Sequence, residues 1–266
     1  MSKKTSEKSD VVLGGTKATA PSWLLSLVEL PRALSEASTL IPARRLLQGL
    51  PSGDGHPVMT LPGFLATGRS MRPMRNYLRQ WSYDARSWKL GRNLGLPKEE
   101  DIEEKLDARL DKLHRRTGRS VSLIGWSLGG LFARELARRN PDKVRSVIML
   151  GSPIGTPKAT NAWRLFEAVS DREVDEESIA RRVDTLREPV EGVPMTAVYS
   201  LTDAVVSSDI ARLPPGDCVE NVGVPASHLG MGFNPAILYL IADRLRQPEG
   251  NWRPFEISGF RNLFFH

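Results

Sequence analysis

One serine constrains this chain more than any other residue. Ser127 stands between glycines in Gly125-Trp126-Ser127-Leu128-Gly129-Gly130. The run before it, Ser120-Val121-Ser122-Leu123-Ile124, alternates polar and apolar residues and then turns apolar, as a half-buried strand does. The run after it, Leu131-Phe132-Ala133-Arg134-Glu135-Leu136-Ala137, holds helix formers with apolar residues at helical spacing. A strand that turns straight into a helix needs small residues beside the turn, because larger ones would strike the returning backbone. Such a turn exposes the serine Oγ and leaves the N–H of the next residue, Leu128, to bind an oxyanion. Gly-x-Ser-x-Gly alone arises by chance in roughly one chain in ten of this length. Its weight comes from the strand before it, the helix after it, and the partners found elsewhere.

The 266 residues are enough for one large α/β domain with a sizeable core. Residues 1–20 are rich in Lys, Ser, Thr and Gly and read as a disordered tail. Residues 21–55 form an N-terminal helical segment, with Leu24, Leu27, Val28, Leu40, Leu46 and Leu47 interrupted by Pro31 and Pro42. It reads as a cap over one edge of the main domain or as a surface that docks on a membrane or partner. From 56 to 250 strands and helices alternate. Strands are expected over 56–61, 85–90, 121–124, 144–150, 193–200 and 218–222, and helices over 72–81, 99–117 and 235–246. The helix at 99–117 has the stripe Ile102, Leu106, Leu110, Leu113, an acidic start, a basic end and Gly118 as a stop. This alternation predicts a mostly parallel sheet flanked by helices. Residues 157–192 break the rhythm with two amphipathic runs around an acidic stretch. They read as a helical cap over the site, with a surface decoration as the alternative. Residues 251–266 form an aromatic tail that packs on the domain or on a partner.

Composition narrows the function classes. The formal charge of +6 comes mostly from dispersed arginine, without a basic block interleaved with aromatics, so nucleic acid is not an expected partner. Peripheral contact with an anionic membrane stays compatible with that charge. Cys218 is the only cysteine, which excludes an internal disulfide, fits a reducing compartment and reads as a structural thiol. No stretch reaches the ~18 apolar residues of a membrane span. A cytoplasmic protein is the expectation.

A serine hydroxyl needs a base, and the base needs an orienting group. Of four histidines, His56 and His114 precede the serine, His114 suits a helix C-terminus, and His266, at the end of the sequence, is expected to be mobile. His228, in Pro225-Ala226-Ser227-His228-Leu229-Gly230, follows a strand-like run and precedes a helix, which fits the base. Asp203 directly follows the strand ending near Ser200 and fits the acid, with Asp209 as its competitor. Leu61-Pro62-Gly63-Phe64 ends the first core strand, and the Phe64 N–H is the candidate partner of the Leu128 N–H in an oxyanion hole.

These pieces, with Leu150-Gly151-Ser152-Pro153 and Thr202-Asp203-Ala204-Val205-Val206, resemble the α/β-hydrolase superfamily, in particular its bacterial lipases and esterases. The resemblance covers about residues 56–246. It implies an α/β-hydrolase fold with a helical cap inserted after the sixth-type strand. Residues 22–49 read as helical where the family has its leading strands, so a sheet reduced at that end is compatible. Pro62 stands where many lipases have a histidine. The resemblance implies a carboxylic-ester hydrolase with Ser127 as nucleophile, His228 as base and Asp203 as acid, requiring no cofactor and no metal. Trp126, Trp163 and Phe166 are the expected substrate-binding residues, suited to lipid-like or medium-chain esters. An acyltransferase with the same triad, or a non-catalytic scaffold, are the other readings; oligomeric state stays open.

Overall fold

The structure is a computed structural model that describes residues 19–95, 99–155, 159–163, 184–186, 188 and 190–266. Six strands form one sheet: β1 (Pro57–Leu61), β2 (Asp84–Ser87), β3 (Val121–Trp126), β4 (Val144–Leu150), β5 (Met195–Tyr199) and β6 (Val219–Gly223). All neighbours pair in parallel, in the order β2-β1-β3-β4-β5-β6. Among the described residues no strand precedes β1, so the sheet is the reduced, wholly parallel version.

Parallel strands buried on both faces need apolar residues of both parities, and the sequence supplies them. Val58, Ile124, Ile148, Val198 and Val222 point to one layer. Met59, Leu123, Val147, Met149 and Ala197 point to the other. The first layer holds α1 (Trp23–Gln48), α2 (Arg72–Gln80) and α5 (Pro235–Leu245). The second holds α3 (Glu99–Thr117) and α4 (Leu128–Arg139), with Leu106, Leu110 and Leu113 of the predicted α3 stripe buried. Every predicted strand and helix of the core is present, most within two residues of its expected bounds. The second strand differs, ending at Ser87 rather than 90.

The N-terminal segment is one helix despite Pro31 and Pro42, each of which removes a backbone donor. Both prolines are exposed, so the carbonyls they leave unpaired lie on the wet side. The helix packs on α5, on α2 and on the turn after His228.

The C-terminal residue is anchored, contrary to the expectation of mobility. His266 exchanges both backbone hydrogen bonds with Gly223 (2.7 and 3.1 Å) and extends the β6 edge. Its ring meets Tyr199 edge-on at 5.7 Å, and Phe255 and Phe265 are buried against α5. The aromatic tail therefore packs on the domain and pairs with the carboxyl end of the β6 edge strand at Gly223.

Strand order decides where a site can form. From β1 the chain steps outward to β2, then back across to β3, so the crevice between β1 and β3 at their carboxyl ends is the switch point. Register brings Leu61 beside Gly125 and Trp126 beside Leu150, which aligns the loops that follow β1, β3 and β4.

Candidate active site

β3 runs directly into α4 through Ser127, whose backbone stands at φ +53°, ψ −124°. Three glycines permit the turn. A Cβ on Gly125 would strike the backbone of Gly129 and Gly130, one on Gly129 the carbonyls of Leu61 and Pro62, and one on Gly130 the side chain of Ser152. The Ser127 N–H donates to the Leu150 carbonyl at 2.8 Å, which ties the turn to the end of β4. Ser127 itself is half-buried. Leu128 opens α4, so its N–H has no acceptor within the helix.

The loop after β1 reaches this turn. A Cβ on Gly63 would lie 3.2 Å from the Ser127 Cβ, so Gly63 allows a close approach. The half-buried Phe64 follows, and Leu65 takes a left-handed conformation at φ +58°. Asn93, fully buried, holds this loop: its side chain donates to the Pro62 carbonyl (2.8 Å), its carbonyl accepts from Leu65 (2.6 Å) and its N–H donates to Ala66 (2.8 Å).

Asp203 and His228 meet beneath the same edge. The ring Nδ1 lies 2.7 Å from Asp203 Oδ2, and both side chains are almost completely buried. Asp203 Oδ1 accepts the N–H groups of Val205 (2.7 Å) and Val206 (2.8 Å). The carboxylate is thus an acceptor on both oxygens, so Nδ1 carries the proton and Nε2 is left as the basic nitrogen. Asp209 is exposed, and its N–H contacts Ser207 at 3.4 Å, so the structure brings Asp203 to the ring instead. Gly151, at φ +55°, lies under the pair: a Cβ there would stand 3.1 Å from His228 Nδ1 and 3.2 Å from Asp203 Oδ2. Ser200 joins the acid and base loops by donating to the Ala226 carbonyl at 2.7 Å.

The expected substrate-binding residues are placed differently from one another. The Trp126 indole N–H donates to the His228 carbonyl at 3.0 Å, and the two rings lie 5.9 Å apart, so it braces the base loop. Trp163 is half-buried at the start of the excursion that crosses the acid loop through the Thr160–Val206 bridge. Phe166 lies outside the described residues, as does most of the expected cap. Among the described residues no three His, Cys, Asp or Glu side chains gather as a metal ion would require.

Several contacts at the site had no sequence signal. Asn93 stands in an unpatterned loop. Glu29, Arg32 and Glu36 belong to α1, yet they reach the loops of Asp203 and His228 at sequence separations of 200, 170 and 191.

A sequence profile described as the alpha/beta hydrolase fold matches residues 61–253, so the chain belongs to the α/β-hydrolase family. A stretch of 47 residues is 43% identical to the pimeloyl-[acyl-carrier protein] methyl ester esterase of Neisseria meningitidis, covering 18% of each chain. Among solved structures, mature Bacillus licheniformis lipase BlEst2 superposes with a TM-score of 0.56 at 17% identity, covering 75% of this chain and 95% of the lipase. A pyrethroid hydrolase from Sphingobium faniae JZ-2 gives 0.51 at 20% identity, covering 73% and 98%. Aspergillus fumigatus lipase B gives 0.52 at 18% identity, covering 74% and 55%. At such identities the likeness is one of fold.

Proposed function

We propose that the protein hydrolyses carboxylic esters through an acyl-enzyme on Ser127. The observation that carries this reading is the buried Asp203–His228 hydrogen bond at the sheet edge where the Ser127 turn stands. His228 Nε2 takes the Ser127 proton as Oγ attacks the ester carbonyl, then returns it to the leaving alkoxide. Water, deprotonated by the same nitrogen, releases the acid. Asp203 fixes the tautomer and stabilises the imidazolium that forms. The Leu128 N–H, with that of Phe64, faces the oxyanion.

Lipid-like or medium-chain esters suit the surroundings. Leu201 and Leu229, two residues before the acid and one after the base, are both exposed apolar side chains. The names of the similar proteins, lipases and an ester esterase, point to the same bond. A non-catalytic scaffold would have no need to keep a fully satisfied Asp–His pair under a strained serine.

Hydrolysis of p-nitrophenyl butyrate tests this. Ser127→Ala is expected to lower kcat by a factor of at least ~10³, and Asp203→Asn by about 10⁴ through the wrong tautomer. Asp209→Asn should stay within about twofold of wild type, its residue being exposed. Full activity in Ser127→Ala, or a larger loss at Asp209 than at Asp203, would contradict the assignment.

A further inference from the structure

α1 lies outside the residues matched by the family profile, which begin at residue 61. Its inner face nevertheless carries polar side chains at near-helical spacing, Ser26, Glu29, Arg32 and Glu36, and each contacts one of the two loops that hold the Asp–His pair. Glu29 Oε1 accepts the N–H of Leu229 at 2.8 Å. Glu36 Oε1 accepts the N–H of Ser227 at 2.5 Å, and its Oε2 accepts from Asn234 at 2.8 Å. The backbone N–H groups of the two residues that flank His228 are therefore gripped by two carboxylates two turns apart on one helix face. Arg32 donates to the carbonyl of Thr202 and, at 2.7 Å, to its hydroxyl, just before Asp203. Ser26 reaches the carbonyl of Ala204, just after Asp203, at a weak 3.4 Å.

We propose that α1 is a built-in clamp for the catalytic pair, with Glu29, Arg32 and Glu36 as positioning residues that hold His228 and Asp203 in register with Ser127. The inference rests on the triad reading above and adds to it an element outside the matched family core.

The packing argues that these contacts do more than attach a helix. Glu29 is 5% exposed, and its Oε2 is buried without a hydrogen-bond partner. Removing a carboxyl from water without filling both oxygens is costly, and an ordinary docking helix would carry an apolar residue there. Burial pushes the Glu29 carboxyl upward, against the opposing hydrogen bond from Leu229, and the nearby Asp203 charge pushes it the same way. Through Oε1 its function there is directional: it fixes the N–H of the residue that follows His228. Glu36 occupies the space that a Cβ on Gly230 would need, so the base loop is shaped around it. On the outer face of the same helix, by contrast, the apolar Leu27, Leu34 and Ile41 are exposed.

Displacing a reacting group by about 1 Å can cost on the order of 100-fold in rate. Glu29→Ala is therefore expected to lower kcat on p-nitrophenyl butyrate by about 10- to 100-fold with KM within about twofold. Glu29→Gln, whose amide oxygen can accept the same N–H, should recover kcat to within about threefold of wild type. Arg32→Ala, which strips no buried group of its partner, should cost about 3- to 10-fold in kcat. Leu34→Ala, on the outer face, serves as the control. Unfolding curves for each variant correct rates to folded protein, and the rate of fluorophosphonate labelling of Ser127 gives an independent reading of the triad. A purely structural helix would lower the unfolding midpoint and leave kcat per folded molecule intact. An active wild type that depends on Ser127, with folded Glu29→Ala at full kcat, overturns the clamp alone. Should Glu29→Ala not fold, full kcat in Arg32→Ala overturns it. A wild type without Ser127-dependent hydrolysis overturns both the clamp and the triad.

Discussion

Ser127 sits at φ +53° and ψ −124°, a conformation that non-glycine residues hold only when their surroundings impose it, at a cost of about 1–3 kcal/mol. Here the Leu150 carbonyl holds the N–H of the turn, and the three flanking glycines remove every Cβ that would block it. Gly151 does the corresponding service for the His228–Asp203 pair. At φ +55°, with a Cβ position only 2.8 Å from Met231 Sδ and 3.1 Å from His228 Nδ1, it admits no side chain without moving the pair. Gly151→Ala should lower kcat by about 10- to 100-fold and stability by about 1–3 kcal/mol. Steady-state rates and urea unfolding of the purified variant check both numbers; an unchanged kcat would show that the pair tolerates displacement.

The strands and helices of the core were legible because burial imposes short-range patterns. α3 carries a 3.6-residue stripe, and β4 and β5 are apolar on both parities because both their faces are covered. The Ser127 turn was legible for the same reason: its small residues are required within five positions of one another. Contacts between distant segments leave no such trace. Asn93 braces the loop after β1 through three hydrogen bonds, but nothing in Arg92-Asn93-Leu94 marks it. The α1 carboxylates meet residues 191 and 200 positions away. Trp126, expected at the substrate site, also donates its indole N–H to the His228 carbonyl, a contact across 102 positions that no local pattern announces. The prolines of α1 suggested breaks, and the helix carries both because their orphaned carbonyls face solvent.

Taken as a whole, the molecule places the candidate site at the carboxyl ends of the strands and a second polar network at the opposite ends. There His56 is fully buried before β1, with Nδ1 2.5 Å from Asp54 and Nε2 2.9 Å from the Ser122 hydroxyl, which in turn meets Ser146 at 3.0 Å. Burial of the ring, opposed by the Asp54 hydrogen bond and reinforced by the Arg145 charge, lowers its pKa from 6.5 to about 4. His56 is thus neutral at pH 7, a hydrogen-bond donor to Asp54 through Nδ1 and an acceptor from Ser122 through Nε2. Burial alone would raise the Asp54 carboxyl, but the hydrogen bonds from His56 and Arg145 outweigh it and hold it far below the usual range.

A depressed histidine means that the unfolded chain binds a proton the folded one refuses. Its effect is nil above pH 6.5 and grows as pH falls toward 4. Between pH 7 and pH 5 it should cost about 2 kcal/mol of stability. Asp54 stabilises the fold above the ordinary carboxylate range and loses that contribution only at lower pH, outside this window. Glu29 acts in the opposite sense, since a raised carboxyl favours the folded state as pH falls. The His56 contribution is therefore read as the difference between wild type and His56→Gln in urea unfolding at pH 7 and pH 5. The wild type should lose about 2 kcal/mol more than the variant over that step; equal losses would show that His56 is not the buried neutral base of this network.

The family assignment rests on the fold and the profile match, and the proposed chemistry rests on Ser127. Incubation of the folded protein with a fluorophosphonate, followed by intact mass and peptide mapping, tests that point most directly. A single adduct on the peptide containing Ser127, absent from Ser127→Ala and at least ~10-fold slower to form in His228→Ala, is the predicted result. A folded protein that takes no adduct, or takes it on another residue, would contradict the account.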